Sequence, residues 1–124
     1  MPRVATEQET ALARTWLMLQ GWPPQPDWAF SDLCYVVPGI AAVWLFTSNS
    51  KLFWVENLVG NPLADKDERR AALPALLSYV SEEAGKLGGK AVMTSTSHPG
   101  AARAYVTAGY GVTGTGCTQY IKTL

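Results

Sequence analysis

Three consecutive stretches decide the fold: LFWVENLVG at positions 52–60, DKDERRAALPALLSYVSEEAGKL at 65–87, and KAVMTST at 90–96. The first is an apolar, aromatic and β-branched run of strand length, read as a strand from Leu52 to Val59. The second places Ala72, Leu73, Leu76, Leu77, Val80, Ala84 and Leu87 on one helical face and is closed by Gly88-Gly89. The third is a strand from Lys90 to Thr96. Because the intervening helix carries the chain across the sheet, the two strands are expected to lie parallel. Pro74 removes one backbone donor and crowds the Arg70 carbonyl, so the helix is expected to kink there or to begin near Leu73.

Upstream, the runs Asp32 to Val37, Ile40 to Thr47 and Leu52 to Val59 are separated by Pro38-Gly39 and by Ser48-Asn49-Ser50-Lys51, short turn-forming connections that imply an antiparallel meander. The second and third runs are almost continuously apolar, as in central strands covered on both faces. From Ala5 to Leu19 the pattern is that of an amphipathic helix, with Thr6 and Glu9 at capping-box spacing. Gly21, Pro23, Pro24 and Pro26 end it and lead into a loop that presents Trp22 and Trp28. Downstream, Pro99 to Ala108 reads as a short helix stopped by Gly109, and Tyr110 to Lys122 as a terminal strand or hairpin. The fold class is α/β with a mixed sheet, in one domain spanning 1–124.

Ten basic and ten acidic residues cancel and no window is strongly basic, which argues against a nucleic-acid partner. Apolar runs such as Ile40 to Phe46 fall far short of the ~20 residues that cross a bilayer, so no membrane association and a cytoplasmic location are expected. Cys34 and Cys117 have no partners at metal-ligand spacing and are read as core hydrophobes. The five tryptophans, Trp16, Trp22, Trp28, Trp44 and Trp54, are read as mostly core, with some left for an interface.

From Leu58 onward the chain resembles the GNAT superfamily of acyl-CoA-dependent N-acetyltransferases. The resemblance rests on the strand ending Val59-Gly60-Asn61-Pro62, the long helix ending Ala84-Gly85-Lys86-Leu87-Gly88, the next strand, and the run Ala101-Ala102-Arg103-Ala104-Tyr105-Val106-Thr107-Ala108-Gly109-Tyr110. It implies a V-shaped splay between the family's fourth and fifth strands, with the family's first strand missing here. It also implies acetyl-CoA as cofactor: Leu58 and Val59 on the strand that holds pantetheine, with Arg69, Arg70 and Ser97 as further cofactor-binding candidates. Tyr105 matches the general acid that protonates the departing thiolate, and Glu56 the base for the amine. The Tyr105 ring is equally suited to packing on the sheet, and Glu56 to a solvent-facing strand end. His98, the one histidine, suits a helix cap or solvent better than chemistry.

One departure weighs against efficient cofactor use. Where the family carries an Arg/Gln-x-x-Gly-x-Gly/Ala loop for the pyrophosphate, this chain has Asp65 at the Arg/Gln position, Glu68 at the first glycine and Arg70 at the second small residue. Asp65, Asp67 and Glu68 suit an empty helix start. Against a bound pyrophosphate each would cost about 1–3 kcal/mol at ~5 Å. The resemblance therefore implies a short member of the type found in viruses and phages, with degenerate acetyl-CoA binding, cytoplasmic or, if of phage origin, virion-associated. Its expected role is structural or protein-interacting, with the Trp22 to Phe30 loop as the docking surface. The alternative is an active N-acetyltransferase acting on a primary amine with an atypical phosphate loop.

Overall fold

Thr6 begins the first helix as its spacing requires: its hydroxyl accepts from the Glu9 amide at 3.2 Å while Glu9 Oε1 accepts from the Thr6 amide at 2.9 Å. In the computed structural model, which describes all 124 residues, this helix, α1, runs Glu7–Leu19. Ahead of it lies a two-residue strand, β1 (Arg3–Val4), paired antiparallel with β2 (Leu33–Val37). A strand before the first helix is thus present, though reduced to two residues. Arg3 secures this corner through a two-pronged contact with Glu9 at 2.7 Å.

β2, β3 (Ala41–Phe46) and β4 (Leu52–Gly60) form the expected antiparallel meander. Helix α2 (Lys66–Lys86) then crosses to β5 (Ala91–Met93), which pairs parallel with β4, and α3 (Pro99–Thr107) follows. The result is one five-stranded mixed sheet in the order β1-β2-β3-β4-β5. β4 and β5 share three residue pairs, Leu52–Ala91, Phe53–Val92 and Trp54–Met93. Beyond Trp54 they part, and the rest of β4 has no strand partner on that edge.

The sheet is covered on both faces, as the apolar runs require. On one side α2 and α3 bury Ala72, Leu76, Leu77, Val80, Ala84, Ala104 and Tyr105 against Tyr35, Val43, Leu45, Phe53 and Val55. On the other, α1 buries Ala13, Trp16 and Leu17 against Cys34, Val36, Ala42, Trp44 and Val59. β3, with Ala41 through Leu45 fully buried, is the central strand of both layers. β4 is covered on both faces only at its C-terminal end, and Leu52 and Trp54 remain partly exposed.

Four further expectations are corrected. α2 begins at Lys66 rather than near Leu73 and its helical span includes Pro74: completely burying Leu76, Leu77 and Val80, at about 1.5–3 kcal/mol each, outweighs the ~3 kcal/mol cost of an interior proline. Residues 110–122 form no strand or hairpin; Val112, Tyr120 and Ile121 are exposed and find no apolar face to bury, and Gly111, Gly114 and Gly116 weaken any strand. Cys34 is buried, but Cys117, in this terminal segment, is exposed rather than part of a core. The fifth strand ends at Met93 rather than Thr96. No helix is long and apolar enough to cross a membrane.

Candidate functional site

The site is built where β4 leaves β5. Glu56 lies opposite Trp44, while Val59 lies opposite Ala42, so Asn57 and Leu58 together face the single residue Val43. This is a β-bulge in β4. Asn57 adopts φ +58°, and no other non-glycine residue in the chain has positive φ. The extra residue reverses the side-chain alternation: Phe53 and Val55 point to the α2 layer, whereas Val59 points to the α1 layer. It also turns the main chain of β4 as the strand loses its neighbour, leaving backbone groups of the 55–60 segment open to the splay. Gly60 carbonyl is secured from the other side by Gln20 Nε2 at 3.0 Å.

Tyr105 packs in the layer formed by α2 and α3. α3 carries it inward, where it is only 7% exposed, and its hydroxyl receives a hydrogen bond from Thr94 Oγ1 at 3.3 Å. Its ring meets Tyr110 edge-on at 5.1 Å, and Tyr110 hydroxyl in turn lies 3.0 Å from Ser81 Oγ. Burial pushes the Tyr105 hydroxyl up to about 12, with the Glu56 carboxylate adding to the rise. Tyr105 is therefore protonated at neutral pH and can act only as a donor of its proton. Burial also raises the Glu56 carboxyl above its ordinary value. Glu56 is half-buried and forms neither a hydrogen bond nor an ion pair with the rest of the chain. Glu56 shares its face of the sheet with Trp44 and Tyr105 lies in the layer on the other face, yet the two are near enough to influence each other electrostatically.

The other candidates are scattered. Leu58 packs toward the α2 layer and Val59 toward the α1 layer, so only their main chain borders the splay. Arg69 lays its stem against Gly60: a Cβ there would come within 3.2 Å of Arg69 Cδ, and Arg69 Nε is buried without a partner. Arg70 and Ser97 are exposed. His98 caps α3, its Nδ1 accepting from the Gly100 and Ala101 amides at 3.1 and 3.3 Å.

At the start of α2 the chain occupies its own helix end. Asp65 Oδ2 accepts from the amides of Asp67 at 3.0 Å and Glu68 at 3.1 Å. Asn61 Oδ1 holds the Leu63 amide at 2.9 Å and Asn61 Nδ2 donates to Gly39 carbonyl at 2.9 Å, which fixes the approach to the helix. Amides that would otherwise face an anion are engaged by a side chain carrying the same sign of charge as that anion.

No protein-family model and no curated protein sequence matches the chain. Solved structures do. A protein from Agrobacterium tumefaciens described as an acetyltransferase superposes with a TM-score of 0.69 at 16% identity, covering 98% of this chain and 99% of its own. Glucosamine-6-phosphate N-acetyltransferase from Arabidopsis thaliana gives 0.64 at 10% identity, covering 98% of each chain. An acetyltransferase from Trypanosoma brucei gives 0.57 at 14% identity, covering 98% of this chain and 99% of its own. The fold is GNAT-like. Within this GNAT-like fold the bulged β4, the short parallel pairing with β5 and the inward tyrosine of α3, tied to Thr94 just after β5, gather around the point where the two strands part. Two contributors were not singled out by sequence reasoning: Asn57, whose only signal is an amide side chain amid apolar strand residues, and Thr94, which has none.

Proposed function

We propose that this GNAT-like protein serves as a binding or interaction module in which the seat for the acetyl-CoA pyrophosphate has been given up. The observation that carries this reading is the Asp65 carboxylate on the amides of Asp67 and Glu68. An incoming pyrophosphate would have to displace that cap, worth about 1 kcal/mol, and then sit among Asp65, Asp67 and Glu68. The exposed cations nearby, Lys66 and Arg70, offset part of that repulsion without supplying the bare glycine amides. A protein partner would dock on the loop from Trp22 to Phe30, where Trp28 is 79% exposed and Trp22 49%.

Isothermal titration of acetyl-CoA and of CoA tests the reading. Wild type is expected to show no saturable heat below about 100 μM, with a gain of binding in Glu68→Gly. Low-micromolar binding to wild type would overturn the proposal. It would favour the second reading, an active N-acetyltransferase, which is supported by the protonated Tyr105 hydroxyl held by Thr94 and by a Glu56 carboxylate near enough to influence it. In that case Tyr105→Phe is expected to lower amine acetylation by about 100-fold.

A further inference from the structure

α1 is apolar on two faces. Its inner face, Ala13, Trp16 and Leu17, is buried against the sheet. Its outer face carries Ala11, Leu12, Thr15, Met18 and Leu19, exposed residues at the three- and four-residue spacing of a helical stripe, and none of them is charged. The hydroxyl of Thr15 is already engaged, donating to the Leu12 carbonyl at 2.6 Å, so covering the stripe orphans no side chain. The helix stops in a glycine turn: Gly21 takes φ +90° and the Trp22 amide donates to the Leu17 carbonyl at 3.1 Å, which fixes the half-exposed Trp22 at the end of the stripe.

Beside Met18 lies a shallow hollow of about 60 Å³, walled also by Pro23, Pro24 and Phe30. Arg14, the one basic residue of α1, is held there by its own chain: its guanidinium pairs with Asp27 at 2.8 Å and lies over the Phe30 ring at 4.3 Å. Stripe and hollow therefore present no unpaired charge, although the solvent side of a surface helix is ordinarily polar.

Side-chain size selects the occupant. Along the stripe the small residues, Ala11 and Thr15, come first and the large ones, Met18, Leu19 and Trp22, come last. Two such helices packed antiparallel about a two-fold axis set large against small: Ala11 meets the second copy's Trp22, Thr15 its Met18, and Leu12 its Leu19. A parallel pairing would instead set bulk against bulk at one end and leave a gap at the other. Antiparallel packing also opposes the two helix dipoles, and with no charge on either stripe it brings no like charges together. Leu12, Met18, Leu19, Trp22 and the neighbouring Trp28 expose about 600 Å² between them, close to the ~800 Å² that each partner contributes to a specific interface.

We propose that the outer face of α1 and the adjoining Trp22–Phe30 loop form a two-fold dimer interface in which α1 packs antiparallel on α1 of a second copy. This rests on the reading of that loop as a docking surface and supplies its occupant; the start of α2 takes no part in it.

Sedimentation equilibrium of the full chain from about 1 to 300 μM tests the interface, with a reversible dimer of Kd about 10 μM expected. Leu19→Lys brings an ammonium group onto the second copy's Leu12 and is expected to weaken the dimer about 100-fold. Leu63→Lys, at an 88% exposed position outside α1, is expected to leave it unchanged. Leu12→Lys, also at an exposed position, repeats the test should Leu19→Lys fail to give a native circular-dichroism spectrum. In a Cys117→Ser background, a thiol cross-linker spanning about 8 Å is expected to join Thr15→Cys, near the two-fold axis. It is expected not to join Gln8→Cys, whose two copies stand about 25 Å apart along the helices. A chain that stays monomeric throughout, a dimer that a folded lysine variant on the stripe does not dissociate, or cross-linking at Gln8→Cys in place of Thr15→Cys would overturn the proposal. Acetyl-CoA titration of the same sample is read separately: binding there would overturn the loss of the pyrophosphate seat and leave the dimer standing, and a monomer that binds no acetyl-CoA would do the reverse.

Discussion

Asn57 is the residue on which the site geometry turns. Its φ of +58° lets β4 insert an extra residue against β3 and send Val55 and Val59 to opposite layers. Asparagine tolerates this region better than other side-chain-bearing residues, and glycine better still. Asn57→Gly is therefore expected to leave stability within about 0.5 kcal/mol of wild type, and Asn57→Ala to cost about 1 kcal/mol, measured by urea unfolding. The sequence carries only a faint mark of this feature, one amide in an apolar strand, because a bulge depends on cross-strand register, which local periodicity does not contain. Tyr105 offers a second test at this scale. Its hydroxyl is raised to about 12 in the folded state against an ordinary value of 10, so the native state holds its proton more tightly than the unfolded chain. The associated stability is fully present below pH ~10 and is lost as pH rises toward ~12. Urea midpoints between pH 9 and 11.5 are expected to fall less steeply in Tyr105→Phe than in wild type.

At the level of elements, α2 shows how tertiary packing overrides a local rule. Of the residues that predicted this helix, Ala72, Leu76, Leu77, Val80 and Ala84 form its buried stripe, while Leu73 is partly buried and Leu87, at the C-cap, is exposed. Pro74 was read as a kink or a start because a proline interior to a helix forfeits a hydrogen bond and crowds the preceding turn. What sequence could not weigh was how completely the residues beyond it are buried against β3 and β4. The helix therefore continues at a cost it still bears. Pro74→Ala is expected to stabilise the protein by about 1–2 kcal/mol, less than the full propensity difference because alanine also frees the unfolded chain. A higher urea midpoint with an unchanged slope would be the sign of it. A lower midpoint would mean that the ring contributes packing which the helical register alone does not reveal. The start of the same helix was legible more directly, since an acidic residue ahead of a helix suits its positive end, and Asp65 does accept two of its free amides.

Across the whole molecule, the order of meander, crossover helix and inward α3 was legible because each element carries a clear apolar period. The C-terminal segment was not. Its β-branched and aromatic residues Val112, Thr113, Thr115, Thr118 and Tyr120 suit a strand locally, but a strand needs a partner edge and a covered face, and the segment obtains neither. Its recorded side-chain tie is Gln119 Nε2 to Ser95 Oγ at 2.9 Å, between exposed residues. The last packed residue is instead Tyr110, whose ring packs against Tyr105, whose hydroxyl meets Ser81 on α2, and whose amide donates to Tyr105 carbonyl at 3.0 Å. Two truncations separate these roles. A chain ending at Gly111 is expected to unfold within about 0.5 kcal/mol of wild type, because little is buried beyond that point. A chain ending at Gly109 loses the aromatic contact and the link between α3 and α2, and is expected to lose about 1–3 kcal/mol. Since Tyr110 also backs the Tyr105 ring, the shorter chain is expected to titrate Tyr105 closer to the ordinary tyrosine value, which absorbance at alkaline pH would read. Equal stability of the two truncations would show that α3 is held by its own apolar face alone.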